Sequence, residues 1–426
     1  MLAARHLAGG TLVLYDVSSA AFEGRTCPLG AIGHLKDGVR GRLQIACGLL
    51  TSKEGIPVAI EVFKGNTGDP KTVAAQVDKI KNRFGITRVV LAGDRGMLTT
   101  ARLLEDVGPA QLDWITALRA RRSRRWSATA RSSSPCPVSW TWPRSPILTT
   151  PGERLVACHN PFLEAERARK RESLLAATEA DLATITAATR RARQPLRGKD
   201  KIALRADRAL RRRKVGKHFR TDIGEDHFSY TRDQDSITAE AALDGIYVLR
   251  TSVAGGDLES SEVISSYKAL SHVERAFRAF NTDLDIRPIR HRTEDRVRAH
   301  VFLRMISYYI TWHMQAQLAP ILFTDDDKPA AQAARHSPVA PSTRSPQALA
   351  KAATKRTPDN LPVHSFDSLL KDLATICLNQ IQPADPGLPR FRLNSHPDTA
   401  APSNCSASAT ASGSRSQQPA PPQKPR

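Results

Sequence analysis

Two short apolar runs, each closed by an aspartate, constrain this chain more than any other feature. Thr11-Leu-Val-Leu-Tyr leads into Asp16, and Val89-Val-Leu-Ala-Gly leads into Asp94. An unbroken apolar run of this length reads as a strand covered on both faces, as parallel pairing requires. Between the runs, Arg42 to Leu50 and Pro57 to Phe63 flank the turn Lys53-Glu54-Gly55 and read as a hairpin. Asp69-Pro70 then supplies an N-cap and a first-turn proline. The helix that follows carries Val73, Val77, Ile80 and Phe84 on one face and stops at Gly85. Thr99 to Val107 reads as a short helix, and Asp113 to Leu118 as a fifth strand.

The order is strand, strand, strand, helix, strand, helix, strand, which is the connectivity of a ribonuclease-H-like α/β core, a mixed sheet flanked by helices. In that arrangement the first and fourth strands are parallel neighbours, about 4.8 Å apart, so Asp16 and Asp94 face a common point. Taken singly, an acid that closes a strand is better read as a turn former or a helix cap. The pair on adjacent strands is what points to chemistry.

The remainder divides by pattern. Residues 1–119 form the first part of the core, and 120–150 an Arg, Ser, Pro and Trp-rich segment holding Trp126, Trp140 and Trp142. That segment reads either as a shifted reading frame or as a basic DNA-contacting loop. Residues 151–257 read as an insertion: a helical hairpin from Asn160-Pro161 to about Lys217, broken near Pro195-Leu-Arg-Gly198, then strands at Phe228 and Gly245. The hairpin ends in Arg211-Arg-Arg-Lys-Val-Gly-Lys, either a phosphate contact or a solvated helix face. Residues 258–323 hold two helices, at about 259–281 and 293–318. The second stacks Val297, Val301, Met305, Tyr308 and Trp312 as core packing. A C-terminal extension, 324–380, carries one amphipathic piece from Phe366 to Ile381, and 381–426 reads as a disordered tail.

The charge balance narrows the partners. Sixty-three Lys and Arg against 42 Asp and Glu leave a net charge of +21, which implies a polyanion such as nucleic acid. Six cysteines stand without a CxxC pair or a histidine at ligand spacing, which argues against zinc and disulfides and fits a reducing cytoplasm. With no signal peptide and no long apolar run, no membrane partner is expected.

Cutting and rejoining a phosphodiester needs an activated nucleophile and charge neutralised at phosphorus, which two divalent ions supply together. Mg²⁺, with Mn²⁺ as a substitute, takes oxygen ligands, so the protein's task is to gather carboxylates. A third acid is expected from a helix beside the sheet, and Glu274 qualifies. Tyr267, Glu274 and Asn281 are spaced by seven and Arg278 lies four beyond Glu274, so they share one face if the helix is continuous. The competing reading makes Ser271-His-Val-Glu274 a capping box.

These residues resemble the insertion-sequence-four family of DDE transposases, in the subgroup with Tyr15-Asp16-Val17-Ser18-Ser19, Gly93-Asp94-Arg95-Gly96-Met97 and Val273-Glu274-Arg275-Ala276-Phe277-Arg278. Three linked motifs in the right order make the resemblance specific, and it spans about 10–120 and 151–375. It implies a large insertion between the second and third acids, here 274 − 94 = 180 residues. It also implies metal binding by Asp16, Asp94 and Glu274, and DNA phosphate contacts from Tyr267, Lys268, Arg275 and Arg278. Excision through hairpin ends, strand transfer to target DNA and a homodimer on paired transposon ends are further implications, as is a cytoplasmic, nucleoid-associated location. Leu270 and Asn281 replace the signature's Arg and Lys, and about ten residues precede the first strand where the family has a DNA-binding region. These departures suggest a truncated copy. The alternative function is therefore an inactive remnant that only binds DNA or an intact transposase.

Overall fold

Five strands form where the apolar runs place them: β1 (Thr11–Ala21), β2 (Leu43–Ser52), β3 (Pro57–Lys64), β4 (Val89–Gly93) and β5 (Asp113–Ala117). The structure is a computed structural model that describes residues 2–7, 11–24, 26–33, 41–118, 139–142, 152–327, 331, 344–381 and 391–395. The strands lie in the order β3–β2–β1–β4–β5, antiparallel up to β1 and parallel from β1 to β5. This mixed sheet with helices against it fits a ribonuclease-H-like core.

The missing polar alternation in β1 has a direct cause. Leu12 and Leu14 enter one core and Val13 and Tyr15 the other, because successive side chains of a strand point to opposite faces. On the first face lie Val273, Phe277, Phe280, Val297, Val301, Met305 and Tyr308, including most of the stripe read from the sequence. On the second lie Val73, Val77 and Ile80, with Leu103 and Val107 from the helical stretch 100–107.

Local differences from the sequence reading are informative. The helix after Gly68 is composite: a 3-10 turn Asp69–Thr72, the α-helix α1 (Val73–Asp78) and a π turn Lys79–Arg83. Its cap residue is Gly68 with no side-chain cap, so Asp69 does not serve as the N-cap. β1 also continues to Ala21, so Asp16 is not a strand terminus.

Beyond β5 the sheet widens. β6 (Arg154–His159) was not legible as a strand, yet it pairs with a later strand that returns from about ninety residues downstream. Between them sit α2 (Pro161–Thr189) and α3 (Lys199–Arg212), the hairpin β7 (Phe219–Ile223) and β8 (Phe228–Arg232), and α4 (Gln234–Ala241). The returning strand, β9 (Ile246–Thr251), lies antiparallel between β5 and β6. Two short strands, Ala31–Ile32 and Ser139–Trp142, complete nine. α2 starts where Asn160 accepts from the backbone N–H groups of Phe162 and Leu163, with Pro161 in its first turn. Leu175, Leu182, Ile185, Ile202, Phe219 and Phe228 give this stretch its own core.

Three helices complete the first compact unit, the described residues up to 312, and the last of them continues beyond it. They are α5 (Ser260–Lys268), α6 (Leu270–Thr282) and α7 (Glu294–Gln317). In the second unit, helix Pro346–Thr354 is capped by Ser345, and the buried Lys351 ammonium donates to Ala319 O, Thr324 O and, at 2.8 Å, Asp326 Oδ1. The amphipathic piece is helical only over Phe366–Ala374, and Cys377–Ile381 pairs instead as a strand with Phe391–Ser395. Of the segment 120–150, only the edge strand Ser139–Trp142 is described. The rest of it, and the tail apart from 381 and 391–395, lie outside the described residues. No helix among the described residues is long and apolar enough to cross a membrane.

One buried ion pair joins the widened sheet to its core. Arg250 of β9 donates to Glu153 through Nε at 2.6 Å and Nη2 at 2.8 Å, with side chains 6 % and 1 % exposed. Its guanidinium also lies 5.1 Å from the centre of the Trp114 ring and donates to Thr100 Oγ1. Removing one partner strands the other charge in a dry interior. Glu153→Ala should therefore cost about 3–5 kcal/mol in a urea unfolding curve, whereas adding Arg250→Met should recover part of that loss.

Candidate functional site

The parallel ladder between β1 and β4 ends with Tyr15 opposite Gly93. The next residues are Asp16 and Asp94. β1 runs on along β2, with Asp16 opposite Leu49, while the other chain leaves the sheet. Two neighbouring strands part at this point, so two carboxylates are left beside each other at the mouth. Asp94 is held by its own turn: its carbonyl accepts from Met97 N and Leu98 N, and its Oδ2 accepts from Gly96 N at 3.1 Å. A Cβ on Gly93 would stand 3.0 Å from Leu98 Cγ, so a larger residue there requires the Leu98 side chain to give way.

Glu274 arrives on α6. That helix buries Val273, Ala276, Phe277 and Phe280, an i, i+3, i+4, i+7 stripe, and packs it against β1. Glu274 is exposed beside the stripe. Its capping-box reading is overturned. The N-cap of α6 is Ala269 with no side-chain cap, and the capping box falls at α5, between Glu259 and Glu262. The single continuous helix is overturned as well, because a turn at Ala269 separates α5 from α6. Tyr267 thus lies in the last turn of one helix while Glu274 lies in the second turn of the next. The start of α6 is fixed by His272, whose Nδ1 bonds to Lys53 O at 2.9 Å. Gly55 makes this close approach possible: its φ is +89°, and a Cβ there would stand 2.8 Å from His272 Cβ.

Asp16, Asp94 and Glu274 line one open cleft of about 550 Å³, with Tyr267, Lys268, Leu270 and Ser271 on its wall. Arg275 and Arg278, expected to hold phosphates, are exposed on α6 and do not line it. Three further lining residues were not singled out for the site: Asp69, Asn160 and Tyr247. Asp69 read as a cap, and its place after the Gly65–Gly68 loop that leaves β3 was the available signal. The buried Tyr15 hydroxyl donates to Thr72 Oγ1 at 2.8 Å, and Thr72 Oγ1 donates to the Asp69 carbonyl at 2.6 Å. The side chain of Tyr15 passes over Gly48, where any Cβ would collide with its ring and hydroxyl. β1 thereby places both its own acid and, through Thr72, the backbone that carries Asp69.

Tyr267 is the hinge of the cleft's hydrogen bonding. Its hydroxyl donates to Asp94 Oδ1 at 3.3 Å. Burial, followed by the charge and hydrogen bond of Asp94, pushes the phenol well above its ordinary range, so it stays a neutral donor. Tyr247 is raised by burial too, and burial pushes the neighbouring Cys158 thiol up to about 12, so it does not act as a thiolate.

The donor set suits a hard cation. Four carboxylates lie on the wall, and among the described residues neither histidine nor cysteine lines the cleft. The carboxylates surround the cavity without closing on a point: among the described residues, no three His, Cys, Asp or Glu side chains are arranged to hold an ion. Mg²⁺ keeps several waters and takes one or two carboxylates directly, so an open cavity with spread acids is chemically compatible with it.

A family model described as "Transposase DDE domain" matches residues 25–310, about two thirds of the chain. The chain belongs to that family. Among solved structures it is similar to a piggyBac transposase synaptic complex with hairpin DNA, determined by cryo-electron microscopy. The identity is 11% and the TM-score 0.37, covering 72% of this chain and 48% of that one. The chain therefore spans about half the length of that protein. A search of curated proteins finds no match.

Four of the six tyrosines, Tyr15, Tyr247, Tyr267 and Tyr308, have phenols raised mainly by burial. A raised folded pKa stabilises the native state below the unfolded value of about 10 and is lost as pH climbs through the folded one. Stability should therefore fall as pH rises past about 10. In an ultraviolet titration these four should ionise only with unfolding, and Tyr267→Phe should remove one of them.

Proposed function

We propose that this chain is a DDE transposase of the insertion-sequence-four type that cuts DNA at transposon ends and transfers the strands to a target. The observation that carries this reading is the shared cleft of Asp16, Asp94 and Glu274, drawn from a strand, the turn after a second strand and a helix as far as 258 residues apart (274 − 16). The family match and the basic composition support DNA as the substrate.

Asp16, Asp94 and Glu274 would hold two Mg²⁺ ions, or Mn²⁺ in their place. When bound, such ions lower the pKa of an attacking water or 3′-hydroxyl and neutralise charge on the phosphate. The chain's own residues have simpler tasks. Tyr267 fixes the Asp94 carboxylate in one rotamer without adding charge, and Lys268 offers a cation to a non-bridging phosphate oxygen at the wall. Arg275 and Arg278, exposed further along α6, meet the duplex outside the cleft. Assembly as a homodimer on paired ends belongs to the same reading.

A second reading is a chain that binds DNA without cutting it, and the spread of the acids is the observation that favours it. One assay separates the two. Supercoiled plasmid carrying the DNA that flanks the gene on both sides is incubated with Mg²⁺ or Mn²⁺ and scored for nicks. Asp16→Asn, Asp94→Asn and Glu274→Gln should each lower nicking by about 100-fold or more, the scale of losing one contact to developing charge, with DNA affinity retained. Salt-sensitive binding by the unmodified chain with no metal-dependent nick would establish the second reading.

A further inference from the structure

We propose that a second cleft, walled by α2, the α3–β7 connection and the core sheet, takes the phosphates of one DNA strand as it leaves the carboxylate cleft. This rests on the DNA-cutting reading above for its direction, although its charge and shape stand independently.

The cavity measures about 450 Å³ and meets the carboxylate cleft at Tyr247, which lines both. Arg95, the residue after Asp94, lines its wall. The two clefts therefore touch at the point where a strand would pass the acids. Their charges are opposite: carboxylates dominate the first, whereas seven Lys and Arg and two acids line the second.

The two acids are already engaged. Asp244 accepts from Arg171 at 2.6 Å, and Glu240 binds Lys217 at 2.5 Å and His218 at 2.6 Å. Arg213 is bound to Asp181. That leaves Arg95, Arg167, Lys170 and Lys214, for which no acidic partner stands within ion-pair distance among the described residues. Like charges gathered without partners repel one another, and a polyanion relieves that repulsion by neutralising them together. Lys214 is also held at φ +57°, a conformation uncommon outside glycine and asparagine, which turns it to the cleft at the end of α3.

The basic run Arg211 to Lys217 is thereby divided between its two sequence readings. Arg211 pairs with Asp207 on the exposed side of α3, whereas Arg213, Lys214 and Lys217 face the cleft. The cleft opens beside the acids at Arg95 and Tyr247, which places it for the strand on which they act.

The test measures binding of a labelled single strand on the order of 30 nucleotides long, in EDTA, between about 50 and 200 mM salt. The first variant combines Arg167→Glu, Lys170→Glu and Lys214→Glu. A control combines Arg190→Glu, Arg191→Glu and Arg193→Glu at the far tip of the helical hairpin and has the same net charge. The expected result is an affinity loss of about 10–100-fold for the cleft variant. The slope of log K against log salt should flatten by about 2, since each single-strand phosphate contributes about 0.7. The control should lose less than about 3-fold, with its slope kept within about 0.7, one single-strand phosphate contact. An unchanged slope in the cleft variant, or an equal loss in the control, overturns the proposal. Should the cleft variant fail to fold by circular dichroism, the glutamine versions of the same three residues and protection of Lys170 and Lys214 from acetylation by bound DNA decide the matter. Because no cleavage is involved, failure of the catalytic reading leaves this outcome readable.

Discussion

The parallel pairing of β1 with β4 is the constraint on which the remaining architecture depends. Five residues of each strand are matched, from Thr11 with Val89 to Tyr15 with Gly93. The pairing is buried on both faces, which explains why neither strand tolerates polar alternation. A slip of one residue would exchange the two cores, sending Leu14 where Tyr15 belongs and turning Asp16 away from Asp94. Hydrophobic burial on two sides thus offsets the cost of holding two carboxylates that repel one another.

The third acid depends on a different kind of order. α6 has an apolar stripe that determines which side meets β1, and Glu274 lies beside that stripe. Its position along the sheet is set by contacts between distant segments, notably His272 against the β2–β3 turn at Gly55. The break at Ala269 lets Tyr267 and Glu274 reach the same cavity from two helices. Two clefts of opposite charge then meet at Tyr247 and the Asp94–Arg95 step. Cations suit the one and phosphates the other, and a polyanionic strand with bound divalent ions carries both.

Much of this was legible because it is local. Strand order, the turn at Gly55, the start of α2 at Asn160-Pro161 and the stripe of α7 follow from periodicity and capping chemistry, which need only near neighbours. Sequence reasoning failed where a residue had a sound local explanation and a different distant one. Asp69 before a proline looks like a helix cap, yet its cap position is taken by Gly68 and it lines the carboxylate cleft. β6 was not legible either, because its partner β9 comes some ninety residues later.

The chain's own order of residues determined that a mixed sheet would form, that Asp16 and Asp94 would follow its parallel ladder, and that an amphipathic helix would carry Glu274. Folding in three dimensions decided which other groups share their cavity: Asp69, Asn160 and Tyr247. It also decided which cations of the Arg211 to Lys217 run turn inward. The physical reason is that a side chain's direction follows from backbone periodicity, whereas a cavity is bounded by surfaces whose separation is set by long-range packing.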